Sequence, residues 1–165
     1  MNDKRAKYML ISVSIGLFIS GVTIWPAITE LKLGLSILNT LGLGETQLFE
    51  FTTQIRESLI VIKKDHPQIM YGYDWLAFAH IVLAILFYGA AKDPVRNRWV
   101  IKCGLIMCAL IPVLAAIAIP FRSIPYFWFF IDFAFTPAAA IPLFIAFKDV
   151  SKIESASKNI KSGSK

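Results

Sequence analysis

Four apolar stretches, Tyr8–Ile28, Trp75–Ala91, Cys103–Ile119 and Tyr126–Phe147, dominate this 165-residue chain, and the last carries Asp132 where lipid is expected. Each is about long enough to cross a hydrocarbon core of roughly 30 Å as a helix. Such a core accepts only segments that satisfy their own backbone hydrogen bonds, so helices follow. The pattern predicts an all-α protein, a four-helix transmembrane bundle in the cell inner membrane. Hydrophobic residues make up 56% of the chain and the mean hydropathy is +0.62, above the range of a soluble domain. Residues 1–150 read as one membrane domain and 151–165 as a polar tail, helical at first and disordered at its end. No stretch is left for a separate soluble catalytic domain.

The net charge of +6 does not point to nucleic acid, because the cations sit where topology signals sit. Three lie in Asn2–Lys7, four in Lys92–Lys102 and five in the tail from Lys148. The positive-inside rule puts both termini and the middle connection in the cytoplasm. Four spans require the termini to share a side, so count and charge agree. The basic start followed by an apolar run resembles a secretory signal, but the run is too long and lacks a small-residue cleavage pattern. It reads as an uncleaved first span.

The connection 29–74 lies outside. Within it Leu48, Phe51, Ile55, Leu59 and Ile62 fall at spacings of three and four, opposite Glu50, Gln54 and Glu57. This predicts an amphipathic helix over Leu48–Ile62 that caps the bundle mouth. Its mixed charge favours capping over anchoring to lipid. His66-Pro67 ends it. Aromatic residues such as Trp25, Tyr73, Trp75 and Trp128 mark the span boundaries. Ser12, Gly16 and Ser20 form a small-residue stripe on the first span, suited to packing within the bundle or to a homo-oligomer.

Several chemistries are excluded. Cys103 and Cys108 lie five apart in one span and form no CxxC motif. His66 and His80 are the only histidines, one in a loop and one in a span, which leaves a bis-His haem unsupported. No metal-ligand spacing, Walker loop or GxSxG occurs, so no metal and no cofactor is expected.

What remains is a polar group near the outer face. Asp74 opens the second span and His80 lies roughly 9 Å deeper. Asp132 sits at a similar depth in the fourth span, with Arg122 on the turn above and Glu30 at the outer end of the first. Ionisable groups in spans cost on the order of 2.5–3.5 kcal/mol at mid-bilayer and face the bundle interior with a partner. Asp74 and His80 are about 120° apart around their helix and do not pair directly. The ligand-binding candidates are therefore Asp74, His80, Arg122 and Asp132, with Tyr73 and Trp75 beside them. The same residues equally suit an inter-helix fastening, with Asp74 as a helix cap.

Tyr71-Gly-Tyr-Asp-Trp-Leu-Ala-Phe-Ala-His80, Asp93-Pro-Val-Arg-Asn-Arg-Trp-Val-Ile101 and Arg122-Ser-Ile-Pro-Tyr-Phe-Trp128 followed by Asp132 together resemble an uncharacterised family of small four-span bacterial membrane proteins. The likeness spans Tyr71–Leu143. It implies the four-span topology and no activity. The function expected is binding of a small or lipid-like ligand, or service as an accessory subunit beside a membrane protein partner. A small enzyme using His80 and Asp132 as acid and base is the alternative, and an ion or proton carrier the third reading.

Overall fold

The computed structural model describes residues 3–162. They form six helices: α1 (Asp3–Ile24), α2 (Ala27–Thr40), α3 (Gln47–Asp65), α4 (Pro67–Lys92), α5 (Arg98–Phe121) and α6 (Phe127–Ser162). The protein is all-helical, with no strand among the described residues, and α1, α4, α5 and α6 are long and apolar enough to cross a membrane.

The helix ends follow local chemistry. Pro26 separates α1 from α2, its carbonyl accepting from Thr29 N at 2.7 Å and Glu30 N at 3.0 Å. The first helix thus ends at Ile24 rather than Ile28, and the expected outer loop begins with a helix. Gly42 (φ 74°) stops α2, and Leu43 N donates back to Leu38 O at 2.9 Å. Thr46 caps α3, its hydroxyl accepting from Phe49 N at 3.3 Å. Pro67 supplies the first residue of α4, where its missing N–H costs nothing. That early start makes Tyr71, Tyr73 and Asp74 helical residues rather than loop residues. After α5, Ser123 takes a left-handed conformation (φ 54°) and Ile124 N closes onto Ile119 O at 3.0 Å. The α6 helix runs without a break past Phe147 through the start of the polar tail; the tail's last residues, 163–165, lie outside the described residues.

The chain divides into two compact units, Met1–Gly16 with Leu83–Lys165, and Leu17–Val82, so α1 and α4 contribute to both. In the first, α5 packs along α6. Leu10, Ile101, Leu143 and Val150 are among its fully buried side chains, with Phe87 almost as enclosed. Ser14 Oγ donates to Ala84 O at 2.7 Å, joining α1 to α4. Gly104 sits so close to its neighbours that an added Cβ would lie 2.7 Å from Phe87 Cζ and 3.0 Å from Leu143 Cδ1. In the second unit α2 packs on α3, and Leu59 and Thr52 are buried. Gly21 lets α1 approach α4, since a Cβ there would stand 2.9 Å from Ala77 O.

Candidate functional site

Within the Leu17–Val82 unit, the C-terminal part of α1, the α2–α3 hairpin and the start of α4 line an open cavity of about 640 Å3. Ile24, Leu31, Ile37, Leu38, Ile55 and Leu59 make its wall predominantly apolar. Ser20, Thr23, Glu30, Thr52 and Tyr73 bring the polar groups, and Glu30 is the one ionisable carboxylate among the lining residues. The stripe expected on Leu48–Ile62 supplies Ile55 and Leu59 to this wall. The other half of the wall comes from α2, whose apolar residues Ile28, Leu31, Leu35 and Leu38 repeat at helical spacing. That repeat is the sequence signal for α2, a helix inside the segment expected to be a connection.

Of the expected site residues, Tyr73 lines this cavity. Asp74 and Trp75 lie beside it on α4 and border a second, shallower hollow of about 270 Å3 with Tyr71 and Phe78. Asp74 does not cap a helix: it stands two turns into α4, where Oδ1 accepts from Trp25 Nε1 at 3.0 Å. This bond ties the α1–α2 turn to α4.

His80 also belongs to this unit, half-buried beside Gly21. Its Nδ1 lies 2.8 Å from Leu76 O, and a carbonyl can only accept, so the proton is on Nδ1. His80 is not among the residues lining the large cavity.

Arg122 and Asp132 fall in the other unit. Arg122 is exposed on the α5–α6 turn and Asp132 is half-buried on α6. Among the described residues of that unit neither forms an ion pair. One turn beyond Asp132, Thr136 Oγ1 is buried without a hydrogen-bond partner.

The ion pairs that do join helices were not anticipated. Arg5 on α1 grips Asp149 on α6 with two bonds, Nε to Oδ2 at 2.6 Å and Nη2 to Oδ1 at 2.5 Å. Arg98 on α5 reaches Glu154 on α6 at 2.5 Å and lies over the Phe147 ring. These cations double as topology signals, which hid their structural role. The small stripe is open: a Cβ on Gly16 would meet nothing within 4 Å, and Ser12 Oγ donates to Met9 O of its own helix.

Comparisons with protein-family models, with curated proteins and with solved structures return no match. The fold defines a protein with four helices fit to cross a membrane, and the geometry above is the basis for a function.

Proposed function

We propose that this chain is a multi-pass inner-membrane protein that holds a small, lipid-like molecule in the cavity between α1, α2, α3 and α4. The cavity itself carries the reading. Its volume of about 640 Å3 falls within the roughly 300–1,000 Å3 of small-molecule sites, and its wall has their composition, mostly apolar with a few polar groups. An amphiphile fits this wall better than a polar metabolite, because burying an unpaired polar group against Ile and Leu costs several kcal/mol. The charge distribution supports a topology with both termini cytoplasmic and the α2–α3 hairpin on the opposite side.

Acid–base catalysis and ion transport gain less from the geometry. His80 Nδ1 is committed to its own helix, and Asp132 is not one of the cavity residues.

Gly34 provides the test. It lines the cavity, and a Cβ there meets nothing within 4 Å, so Gly34→Leu fills the space without displacing backbone. Native mass spectrometry of the chain extracted in polymer-bounded nanodiscs should show a retained small amphiphile that the variant loses. A wild-type protein that carries nothing, or a variant that retains the same mass, overturns the proposal.

A further inference from the structure

The geometry points to a second site, for an alkylammonium group, in the corner formed by Asp74 with the rings of Tyr71, Trp75 and Phe78. These residues fall at i, i+3, i+4 and i+7 on α4 and so share one face. Tyr71 and Trp75 meet edge to face with centroids 6.0 Å apart at 80°, and Trp75 and Phe78 at 5.8 Å and 90°. Successive perpendicular rings build walls of a corner rather than a flat stack, and the hollow they border measures about 270 Å3. All three rings are more than half exposed, so their faces are open.

A carboxylate stands among them in a fixed orientation. Trp25 Nε1 holds Asp74 Oδ1, which leaves Oδ2 as the free acceptor. Aromatic faces attract cations through their quadrupole within about 6 Å of the ring centroid, and quaternary ammonium groups are held in this way by aromatic cages. An anion among the rings adds direct charge complementarity.

The rest of the chain shows what such rings ordinarily receive. Lys92 lies over Tyr88, Arg98 over Phe147, Lys102 over Trp99 and Lys148 over Phe144. Each of those aromatic groups is covered by a cation of its own unit. Among the described residues of the Leu17–Val82 unit, no lysine or arginine covers Tyr71, Trp75 or Phe78, and Asp74 forms no ion pair there. The sequence 65–91 contains no basic residue other than His66 and His80. Within its own unit the corner thus has the anion and the rings without a cation, and an ammonium-bearing lipid headgroup or a free alkylammonium compound would supply one. None of its four residues lines the large cavity, so the two sites stand or fall separately.

The test uses the full chain labelled with 5-fluorotryptophan in phosphatidylglycerol nanodiscs, read by fluorine NMR. The Trp75 resonance, assigned with Trp75→Phe, is followed during titration with choline chloride against sodium chloride at matched ionic strength. Choline should shift it saturably, while 3,3-dimethylbutan-1-ol, its neutral carbon isostere, should not. Asp74→Asn keeps an oxygen acceptor for Trp25 and should weaken choline binding about fivefold. Tyr71→Leu should weaken it similarly. Unchanged Trp99 and Trp128 resonances verify that each variant folds. Repeating the titration in phosphatidylcholine nanodiscs separates the sources. A resonance already shifted and no longer responsive identifies the lipid headgroup, and an unaltered titration identifies a soluble ligand. Equal response to the neutral isostere, no saturation, or an Asp74→Asn titration like the parent's overturns the proposal and leaves the rings as interfacial anchors.

Discussion

Removing Arg5 should cost this protein more than removing Asp149, although the two share the same pair of bonds. The carboxylate of Asp149 is 2% exposed and the guanidinium of Arg5 is 51% exposed. Arg5→Gln therefore leaves an enclosed carboxylate with only the weaker attraction of Lys152, whereas Asp149→Asn leaves a guanidinium that water can reach. Exposed pairs contribute about 0.2–1 kcal/mol and breaking a fully buried one costs about 3–5 kcal/mol. With one partner buried and the other half in water, the cost of Arg5→Gln should fall between those limits. Asp149→Asn should cost about half as much, since the amide still accepts from Arg5. The pair joins residues 144 apart in sequence, so its loss loosens α1 from α6 rather than a local turn. Equilibrium unfolding in mixed dodecylmaltoside–dodecylsulfate micelles measures both variants and the double variant. A coupling energy above about 1 kcal/mol is expected. Equal single effects that simply add would mean that the two side chains are hydrated independently, and the burial argument would fail.

Two further outcomes follow from the same geometry. Gly104→Ala should destabilise by about 1–2 kcal/mol, because the new methyl meets Phe87 and Leu143, both nearly fully buried and unable to move aside. Gly16→Ala, with open space around it, should be neutral or stabilising by up to about 1 kcal/mol, and thermal unfolding of the two in one detergent checks the contrast. For topology, single cysteines at Ser157 and Gln54 in a chain with Cys103 and Cys108 replaced should react oppositely with an impermeant thiol reagent on intact cells. Gln54 should label and Ser157 should not; the reverse pattern would invert the proposed orientation.

The membrane-crossing helices were legible because hydrocarbon imposes one rule on every residue of a span, and continuous hydropathy carries it. Their ends were less so. Hydropathy carries Tyr8–Ile28 through Trp25-Pro26 without a change, yet a proline cannot continue the ladder and the backbone turns there. Hydropathy likewise begins the second span at Trp75, because Pro67–Asp74 is mixed in polarity; the helix begins earlier since proline suits a first turn. The stripe on Leu48–Ile62 was legible as a helix, and its partner α2 was not, because Ala27–Thr40 is short and holds Gly34, a weak helix former. The site suffered from the same displacement. Counting from Trp75 puts Asp74 at a helix end, where a cap is one of its two expected roles, but eight residues of helix from Pro67 put it among aromatic rings. Depth along a span can be counted from a sequence. Which atom a half-buried carboxylate or imidazole binds depends on helix rotation, and a few residues' error in a helix start turns a side chain to another face. Trp25 and Leu76 as the partners of Asp74 and His80 lay beyond that limit.

The two units differ in how they use charge, and that difference supports the proposed placing of the ligand sites. Met1–Gly16 with Leu83–Lys165 carries thirteen basic and five acidic residues; Leu17–Val82 carries four basic and six acidic. In the first, five of the cations meet internal partners: Arg5 meets Asp149, Arg98 meets Glu154 and Phe147, and Lys92, Lys102 and Lys148 lie over rings. A charge satisfied inside the fold stabilises it and has little left to offer a ligand. In the second, Glu30 borders an apolar cavity without an ion pair in its unit, and Asp74 presents its free oxygen among uncovered rings. Water or headgroups must satisfy these groups when no ligand does, and a ligand that replaces them gains without breaking any bond of the fold. On the proposed reading, recognition belongs to the acidic unit and fastening to the basic one. Substitutions such as Arg5→Gln should lower stability at an unchanged ligand affinity, and Asp74→Asn should do the reverse.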